Sequence, residues 1–576
     1  MILQALTQYY QALLQQGAIT RPGWSTAKVA WALDVALDGQ IVGLYRLEQQ
    51  STRGDKIILR PQEHQVPQPV KRSSGVSPNF LCDTSSYLLG ADEKGNPNRT
   101  MQCFQASRQL HCQRLEGVEC PAAKAVVAFY ENWNPAQAAT HPALKQDWEE
   151  LMKGGNLLFW HQGAPVTEDA LVQASWQAVN EQPLQQQTSL CLVTGSQKSV
   201  ARLHPNIKGV AGAQSSGAAL VSFNAQSFCS YGHEQGENAP VSDDAAFAYT
   251  TALNHLLADR QHTWQMGDTT MVFWAEQGQQ MYQDFIMEAL YSQNPDQSQE
   301  VLSVLMKLAQ GQMADWQGHQ LNPQTPFYIL GLAPNAARIS VRFFWQNHFG
   351  LLARNVARHC HRMELVRPSF EPFATVPIWK ILQETVNQKV KGAKPHPRLA
   401  GDLMLAVLQD GHYPATLLNG VLLRIRAERE ITHGRAAILK AWYLKNSQNE
   451  QLKEVMTVEL NEQTNYLPYV LGRLFAVLEA VQSAANPNIK ATIRDRYFNT
   501  ASATPAVVFP QLINLAQKHL NKLNPGLAHY YDSEIGQLYA RLGQTLPARL
   551  TLPEQSAFQM GYYHQVQKRY KTKEEQ

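Results

Sequence analysis

The stretch GWSTAKVAWALDVALDGQIVGLYRLE, residues 23–48, joins two apolar alternating runs through a short break. Apolar side chains alternate with smaller or polar ones from Val29 to Leu37, and the alternation resumes at Ile41. Between the runs, Asp38-Gly39 supplies the positive φ that a tight turn needs. The pattern predicts a β-hairpin with a buried face, and therefore a sheet near the start of the chain.

Outside this hairpin the chain changes from strand-like to helical spacing. Four further runs are strand-like: SLCLVTG, ALVSFNAQSF, TTMVFWAE and ARISVRFFW, the last of which follows PFYILGLAPN. Residues 104–190 have mostly helical spacing, and so has nearly everything after about residue 376. We predict an α+β fold, with a mixed α/β N-terminal domain followed by a C-terminal all-α helical bundle. The predicted boundaries are 1–375, 376–455 (connecting basic helices) and 456–576.

Composition indicates a folded chain without a membrane segment. Of 576 residues, 44% are apolar and 17% are charged, which is enough apolar material for real cores. No apolar run approaches the roughly 18 residues needed to cross a bilayer. The N-terminus has the pattern of an amphipathic helix rather than a signal peptide. Seven cysteines with no tight framework fit a reducing cytoplasm, where we expect the protein to reside.

Charge is concentrated in one part of the sequence. Residues 334–445 carry seventeen Lys or Arg against seven Asp or Glu, whereas residues 1–333 carry twenty against twenty-nine. A basic segment after an acidic one favours a polyanionic partner. The alternative is a chance excess of solvated basic residues.

A second unusual stretch is HPNIKGVAGAQSSGAALVSFNAQSF, residues 204–228, which has no carboxylate. Its glycines permit close backbone approach, and its amide and hydroxyl side chains can bond to bases, sugars or phosphates. The Pro-rich segment around residues 65–80 has similar properties. The alternative for both is a plain surface loop.

Three enzyme interpretations compete with binding, and each lacks part of its motif. Residues 213–217 imitate a nucleophile elbow around Ser215, but no helix is predicted directly after it. Ser25 and Lys28 match S-x-x-K without its companion motifs. A zinc site at Cys103, His111, Cys112 and Cys120, or at residues 359–361, has irregular ligand spacing. With no phosphate-binding glycine motif either, we predict no catalytic residue, metal or cofactor.

Several long segments together carry a family resemblance. They include PNFLCDTSSYLLG, LGLAPNAARISVRFFW and the continuous stretch CLVTGSQKSVARLHPNIKGVAGAQSSGAALVSFNAQSFCSYGHEQGENAPVSDDAAFAYTTALNHLL. The chain resembles the large subunit of the type I-C CRISPR surveillance complex, Cascade, over nearly its whole length. Thr84 departs from the pattern, in which Asn is expected, and this changes little.

The resemblance implies a subunit with no catalytic centre. Such a subunit would recognise the protospacer-adjacent motif in double-stranded DNA, start strand separation and R-loop formation, and hold the displaced strand. Its implied partners are crRNA, target DNA, the backbone filament, the 5′-end crRNA-processing subunit, the small subunit and a recruited helicase-nuclease, with no membrane. The rival interpretation is a stand-alone nucleic-acid-binding protein or a nuclease component.

Residue types and positions suggest three groups within this function. The motif and duplex DNA would be bound by Lys71, Arg72, Asn79, Lys208, Gln214, Ser215, Ser216 and Asn224. The nucleic-acid backbone would be bound by Arg338, Arg342, Arg354, Arg358, Lys391, Lys394, Arg424 and Arg426. A period of two places Arg338 and Arg342 on one face of a strand, with Val341 buried on the other, and a spacing of four places Arg354 and Arg358 on one face of a helix. The predicted basic surface continues to Arg435. The displaced strand would be bound by Lys490, Arg494, Arg496, Lys518 and Lys522, of which the last two are four apart and predicted to share one helix.

The C-terminal segment resembles the small subunit of such complexes. The resemblance implies that this small subunit is also made separately by internal translation. Met456 precedes a fresh helical unit, so we predict it as the internal start of a product covering residues 456–576. The alternative is an ordinary helix methionine.

Overall fold

The structure is a computed structural model of the whole chain. It describes residues 1–53, 56–70, 75–93, 96–180, 188–259, 263–291, 297–373 and 375–574. The chain divides into two compact units. The larger unit comprises Met1–Tyr9, Pro205–Ser222 and Ala252–Gln576, and the smaller unit comprises Tyr10–His204 and Phe223–Thr251.

The strands of the described residues all fall in the first 350 residues. They are β1 Trp24–Val35, β2 Ile41–Arg46, β3 Glu48–Arg53, β4 Lys56–Pro67, β5 Cys82–Thr84, β6 Asn156–His161, β7 Ala164–Pro165, β8 Thr188–Leu190, β9 Gln197–Ser199, β10 Thr263–Met266, β11 Thr269–Ala275, β12 Ala314–Trp316, β13 His319–Leu321, β14 Pro326–Asn335 and β15 Arg338–His348.

The helices occur throughout the chain and account for nearly all regular structure after β15. They are α1 Ile2–Gln15, α2 Ser85–Leu88, α3 Pro97–Leu115, α4 Pro121–Asn132, α5 Pro142–Lys145, α6 Trp148–Met152, α7 Ala170–Asn180, α8 Asp243–Ala258, α9 Gln280–Tyr291, α10 Ser298–Ala309, α11 Phe349–Met363, α12 Ile378–Gln383, α13 Leu399–Leu408, α14 Ala415–Glu428, α15 His433–Asn446, α16 Glu450–Glu454, α17 Leu467–Ala485, α18 Ile493–Ala503, α19 Pro505–Leu520, α20 Pro525–Tyr539 and α21 Leu552–Glu574. The predicted α+β class is confirmed.

The smaller unit contains a seven-stranded sheet built around β1. Its order is β3-β4-β1-β6-β5, with β2 paired to β1 and β7 paired to β6. The predicted β1–β2 hairpin is confirmed, and Gly39 closes its turn with a φ of +83°. A Cβ atom on Gly39 would lie 2.3 Å from the carbonyl carbon of Ala128, so only glycine fits there.

One strand of that sheet lies within residues 104–190, which the sequence predicted to be mostly helical. β6 lies within this span and pairs in parallel with β1, so it occupies the middle of the sheet. Its sequence, NLLFWH, is too short and too continuously apolar to show a period. Tertiary pairing, rather than local pattern, makes this segment a strand.

The larger unit has a four-stranded antiparallel sheet and a helical C-terminal region. The sheet order is β10-β11-β14-β15, and β15 is an edge strand. Further along the chain, α17 and α21 pack closely at two glycines. A Cβ on Gly472 would lie 1.9 Å from the carbonyl oxygen of Phe558, and one on Gly561 would lie 2.1 Å from that of Tyr469. Backbone contact of this kind excludes any larger residue at both positions.

Three further points concern predictions from the sequence. Residues 219–228 form no strand, so the prediction for ALVSFNAQSF is wrong: only Ala219 makes a bridge, to Arg338. Met456 is buried, with 2% of its surface exposed, and lies just after α16 rather than in a helix. Within the part of the chain that the structure describes, no helix has the length and apolar character that crossing a bilayer requires.

Candidate nucleic-acid interface

A closed loop, residues 207–218, carries four of the predicted DNA-binding residues in the larger unit. Ile207 and Ala218 exchange two backbone hydrogen bonds of 2.9 Å, which close the loop at its base. Both residues are buried, as is Val210 within the loop. We call this segment the Gly/Ser loop. The buried side chains of Ile207, Val210 and Ala218 fix the loop to the core, because closing the loop removes their apolar surface from water.

Side chains outside the Gly/Ser loop hold its backbone in place. Asn254 accepts a 2.8 Å hydrogen bond from the Lys208 amide and donates one of 3.1 Å to the Asn206 carbonyl. Thr270 accepts a bond from the Ala211 amide. The loop is therefore a braced structure, and this rigidity lowers the entropy lost when it binds a ligand.

The glycines of this loop serve the fold. Gly209, Gly212 and Gly217 all have positive φ, between +78° and +96°. A Cβ on Gly217 would lie 2.8 Å from that of Asn206, and one on Gly212 would lie 3.2 Å from Pro334. Close approach to the protein itself thus explains glycine at these sites, whereas the sequence suggested close approach to a ligand.

Exposed polar side chains occupy the tip of the Gly/Ser loop. Gln214, Ser215 and Ser216 are exposed, and the Gln214 carbonyl accepts a backbone bond from Gly217 at 2.9 Å. The Lys208 side chain is exposed as well. No strand precedes Ser215 and no helix follows it, so the nucleophile-elbow geometry is absent from this described segment. Asn224 is exposed in the smaller unit.

The Gly/Ser loop continues directly onto the edge of the second sheet. Ala219 donates to the Ala337 carbonyl at 3.1 Å and accepts from the Ile339 amide at 3.0 Å. These two bonds bracket Arg338, which is half-buried. The structure thereby brings together the base of the loop and the first predicted backbone-binding arginine.

Farther along β15, Arg342 has an intramolecular partner. It forms an ion pair with Asp268, in the turn between β10 and β11. The register of β14 and β15 shifts beside it, and Val341 is 41% exposed. Strict alternation predicted a buried Val341, but a β-bulge interrupts the alternation. About a third of the Arg342 side chain remains accessible.

Helix α11 presents its predicted arginines on one exposed face. Arg354 and Arg358 are both exposed, one turn apart, as the sequence predicted. Arg358 also bonds to Asp410 at 3.0 Å. Arg362 and Lys445 contact the same carboxylate, at 2.8 and 3.2 Å. Three cations around one carboxylate leave a positive local balance.

The pKa of the Asp410 carboxyl is lowered, as expected for a carboxylate that contacts three cations. Burial raises the pKa of its carboxyl, but Arg362, Lys445 and Arg358 outweigh that effect and lower it below the usual value. Asp410 itself has a positive φ of 49° just after α13. The carboxylate stays ionised and holds the basic face of α11 against α13 and α15.

The other predicted backbone-binding residues lie on separate elements. Lys391 and Lys394 are exposed in the segment between α12 and α13. On α14, Arg424 pairs with Glu428, and Arg426 donates to Gln555 at 2.9 Å. The two lysines are therefore more available to a polyanion than the two arginines.

The predicted displaced-strand residues differ in availability. Lys490, Arg496, Lys518 and Lys522 are exposed. Arg494 lies 3.7 Å from Glu479 and is half-buried. The prediction that Lys518 and Lys522 share a helix is wrong, because α19 ends at Leu520 and Lys522 lies in the following turn.

The Pro-rich segment yields one described site residue. Lys71 and Arg72 lie outside the described residues. The Asn79 side chain accepts a 3.0 Å bond from the Val70 amide, and the Asn79 backbone amide donates to Asp83 at 2.8 Å. Its side-chain oxygen therefore holds the loop. Its side-chain NH₂ group has no hydrogen bond within the described residues, which leaves that group for a ligand.

Two of the histidines named as metal candidates, His111 and His359, are buried and have hydrogen-bond partners within the fold. His111 accepts from the Leu81 amide at 2.8 Å, and its other ring nitrogen lies 2.7 Å from the Ser107 carbonyl. Burial lowers the pKa of His111 to about 4. His359 bonds to the Tyr413 hydroxyl at 2.7 Å. Among the described residues, no three His, Cys, Asp or Glu side chains gather as metal ligands.

Comparison with known protein families identifies the chain as a CRISPR-associated protein. The chain belongs to the CRISPR-associated Cas_Csd1 family, whose sequence model matches residues 6–570. This match confirms the resemblance to the large subunit of the type I-C Cascade. No curated protein matches the chain.

Proposed function

We propose that this Cascade large subunit recognises the protospacer-adjacent motif in double-stranded DNA and begins strand separation there. The observation that carries the proposal is the Gly/Ser loop: a braced, acid-free loop with Gln214, Ser215 and Ser216 at its tip and Arg338 at its base. A rigid loop with few neutral hydrogen-bonding groups suits the edges of base pairs in a groove.

Division of labour supports this assignment. Pairing with the guide RNA reads most of the target sequence, so the protein needs base contacts only at the short motif. Elsewhere it needs contacts to phosphates, and exposed basic side chains provide these. Arg354, Lys391 and Lys394 are the best placed of the predicted set, because they are exposed and have no ion pair among the described residues.

Membership of the family supports our proposal for the remaining activities. The subunit binds crRNA, contacts the filament and the 5′-end processing subunit, and holds the displaced strand through Lys490, Arg496, Lys518 and Lys522. It recruits the helicase-nuclease after R-loop formation and itself breaks no covalent bond. It acts in the cytoplasm. Residues 456–576 are also produced separately from Met456, and a mass spectrum of the complex without such a fragment would contradict this.

A gel-shift experiment tests the motif-reading proposal. Assembled complex carrying Gln214→Ala is titrated with duplexes that bear or lack the motif. Loss of a base-edge contact is expected to reduce discrimination by about 5- to 100-fold while leaving affinity for the motif-free duplex unchanged. Gln109→Ala, an exposed glutamine on α3, is the matched control. Equal losses on both duplexes would refute the assignment of this loop.

Asn79→Ala is the companion variant. It should also weaken discrimination, but its oxygen bond to Val70 means that part of the loss would come from a loosened loop. Gln214 therefore gives the cleaner test.

A further inference from the structure

Residues 230–233 form a tight turn that displays an aromatic ring to solvent. Tyr231 and Gly232 have φ angles of +54° and +76°, and the His233 amide donates to the Ser230 carbonyl at 3.0 Å. Positive φ at both central residues is the pattern of a type I′ turn. Tyr231 is 98% exposed, and no hydrogen bond or ring contact involves it among the described residues.

Two other turns in this chain have the same backbone conformation and show which residue types occupy its first central position. Gln162-Gly163 links β6 to β7 with φ of +53° and +79°, and Gln317-Gly318 links β12 to β13 with +51° and +80°. Both have a flexible polar residue at the first central position. A bulky aromatic residue is disfavoured there, and Asn, Asp or Gly is the usual choice.

Folding does not account for Tyr231. Leu81 has a similar φ of +63°, but it is fully buried, so core packing offsets the strain. Tyr231 buries almost none of its surface and gains no such offset. A strained, exposed aromatic residue therefore indicates a role in contact with another molecule.

The surrounding loop is built to hold the turn still. Asn238 accepts from the Ser230 amide at 2.9 Å and donates to the carbonyls of His233 and Gln235. Gly236 is buried and donates to the Arg202 carbonyl, and a Cβ there would lie 2.0 Å from the Ala201 carbonyl oxygen. A rigid platform loses little entropy when a flat partner stacks on its ring.

The composition around the ring favours a nucleic acid over a protein. From His204 to His233 the sequence has no Asp or Glu. Glu234 and Glu237 follow, and the Glu237 carboxylate accepts from the Glu234 amide at 3.2 Å and lies 4.0 Å from His233. Next to the turn, Gln226, Ser227 and Ser230 are neutral and polar. A protein interface would be expected to have a continuous apolar core. Here two exposed rings, Tyr231 and the 45% exposed Phe228, lie among amides and hydroxyls, which suits stacking on bases.

We propose that Tyr231 stacks on an unpaired nucleobase of a single-stranded nucleic acid. This inference rests on the proposed function only in that the chain must meet nucleic acid. The base could belong to the guide RNA or to a DNA strand freed from the duplex, and stacking chemistry is the same for both.

The test measures affinity and stability in the same variants. Full-length protein carrying Tyr231→Asn or Tyr231→Gly is titrated with a fluorescein-labelled mixed-sequence 20-nucleotide RNA and with the matching DNA. Affinity for one of the two strands is expected to fall about 5- to 100-fold, while the melting temperature stays the same or rises because strain is removed. Tyr231→Phe should bind like the unaltered protein.

Gln317→Gly is the matched control, since it changes the same position of the same kind of turn. It should leave both affinities unchanged. The strand whose affinity falls, RNA or DNA, identifies the source of the base. A strand of the same kind that contains 5-iodouracil should cross-link to Tyr231.

Three results would overturn the inference. The first is that Tyr231→Gly binds both strands as tightly as the unaltered protein. The second is that the unaltered protein binds neither strand. The third is that a variant keeps its affinity for both strands but no longer binds another Cascade subunit. The last result would mark a protein-docking residue. Each leaves the duplex experiment on Gln214 unaffected, so the two proposals fail separately.

Discussion

The basic residues of segment 334–445 occur in two settings. Along α11 and in the segment before α13, Arg354, Lys391 and Lys394 are exposed. Within α15, Arg435 and Lys440 are 2% and 3% exposed. Both groups raise the charge of the segment equally, but only the first can meet a phosphate.

The buried cations have internal partners. Arg435 forms ion pairs with Glu384 and Glu428 and donates to the Glu430 carbonyl at 3.0 Å. Lys440 donates to the carbonyls of His361 and Arg362 near the end of α11. These side chains organise the helical core of the larger unit, so the sequence-based extension of the basic surface to Arg435 is wrong. A charge count thus overstates the binding surface wherever cations hold elements together.

Removing Arg435 should give the largest effect on stability. Arg435→Ala leaves the Glu384 carboxylate buried without its partner, and we expect a loss of about 3–5 kcal/mol in unfolding free energy. Thermal melting followed by circular dichroism checks this. Arg354→Ala is the matched control and should stay within about 0.5 kcal/mol of the unaltered protein. If the two variants melt alike, the distinction between the settings is wrong.

Lys440 should make stability depend on alkaline pH. Burial lowers the pKa of Lys440 to about 8, below the roughly 10.4 of an unfolded lysine. Between these values the unfolded chain binds more protons, so stability rises with pH, by at most about 1.4 kcal/mol per pH unit. Below pH 8 the penalty of the buried charge is fully present.

Denaturant unfolding at pH 7.5, 8.5 and 9.5 measures this slope. Lys440→Met removes the titrating group and should flatten it. Lys391→Met, at an exposed site, should not. An unchanged slope in Lys440→Met would show that the amine is not the titrating group.

Neutralising the exposed group should weaken binding without altering stability. The triple variant Arg354→Ala, Lys391→Ala, Lys394→Ala should lose affinity for all DNA sequences equally. The slope of log affinity against log salt should fall by about 0.9 for each phosphate that the variant no longer neutralises. Fluorescence anisotropy at four salt concentrations gives both quantities, and a preserved slope would remove these residues from the interface.

The smallest expected effect concerns Arg342, which lies between the two settings. Its ion pair with Asp268 is partly exposed. Asp268→Asn should release the guanidinium and increase affinity for any duplex by a few-fold at low salt, because exposed pairs are worth about 0–1 kcal/mol. Arg342→Ala should cancel that gain. A decrease in affinity on Asp268→Asn would mean that the pair itself positions the arginine for DNA.

Particular elements show how far the sequence could be interpreted. The alternation and Asp-Gly turn of residues 23–48 predicted β1 and β2 because hairpin formation is local. The central strand β6 was missed, since its parallel partner is more than a hundred residues away. On α11, spacing placed Arg354 and Arg358 on one exposed face, whereas on β15 a bulge exposed Val341.

The candidate site divides in the same way. Sequence alone determined the acid-free loops, the basic segment and the family, because composition and motif are properties of the linear chain. Only the tertiary structure decided that Asn254 and Thr270 brace the Gly/Ser loop, that Arg435 and Lys440 are internal, and that Tyr231 stands exposed on a strained turn. Burial and pairing depend on residues distant in sequence, and they determine whether a charge or a ring faces a partner or the core.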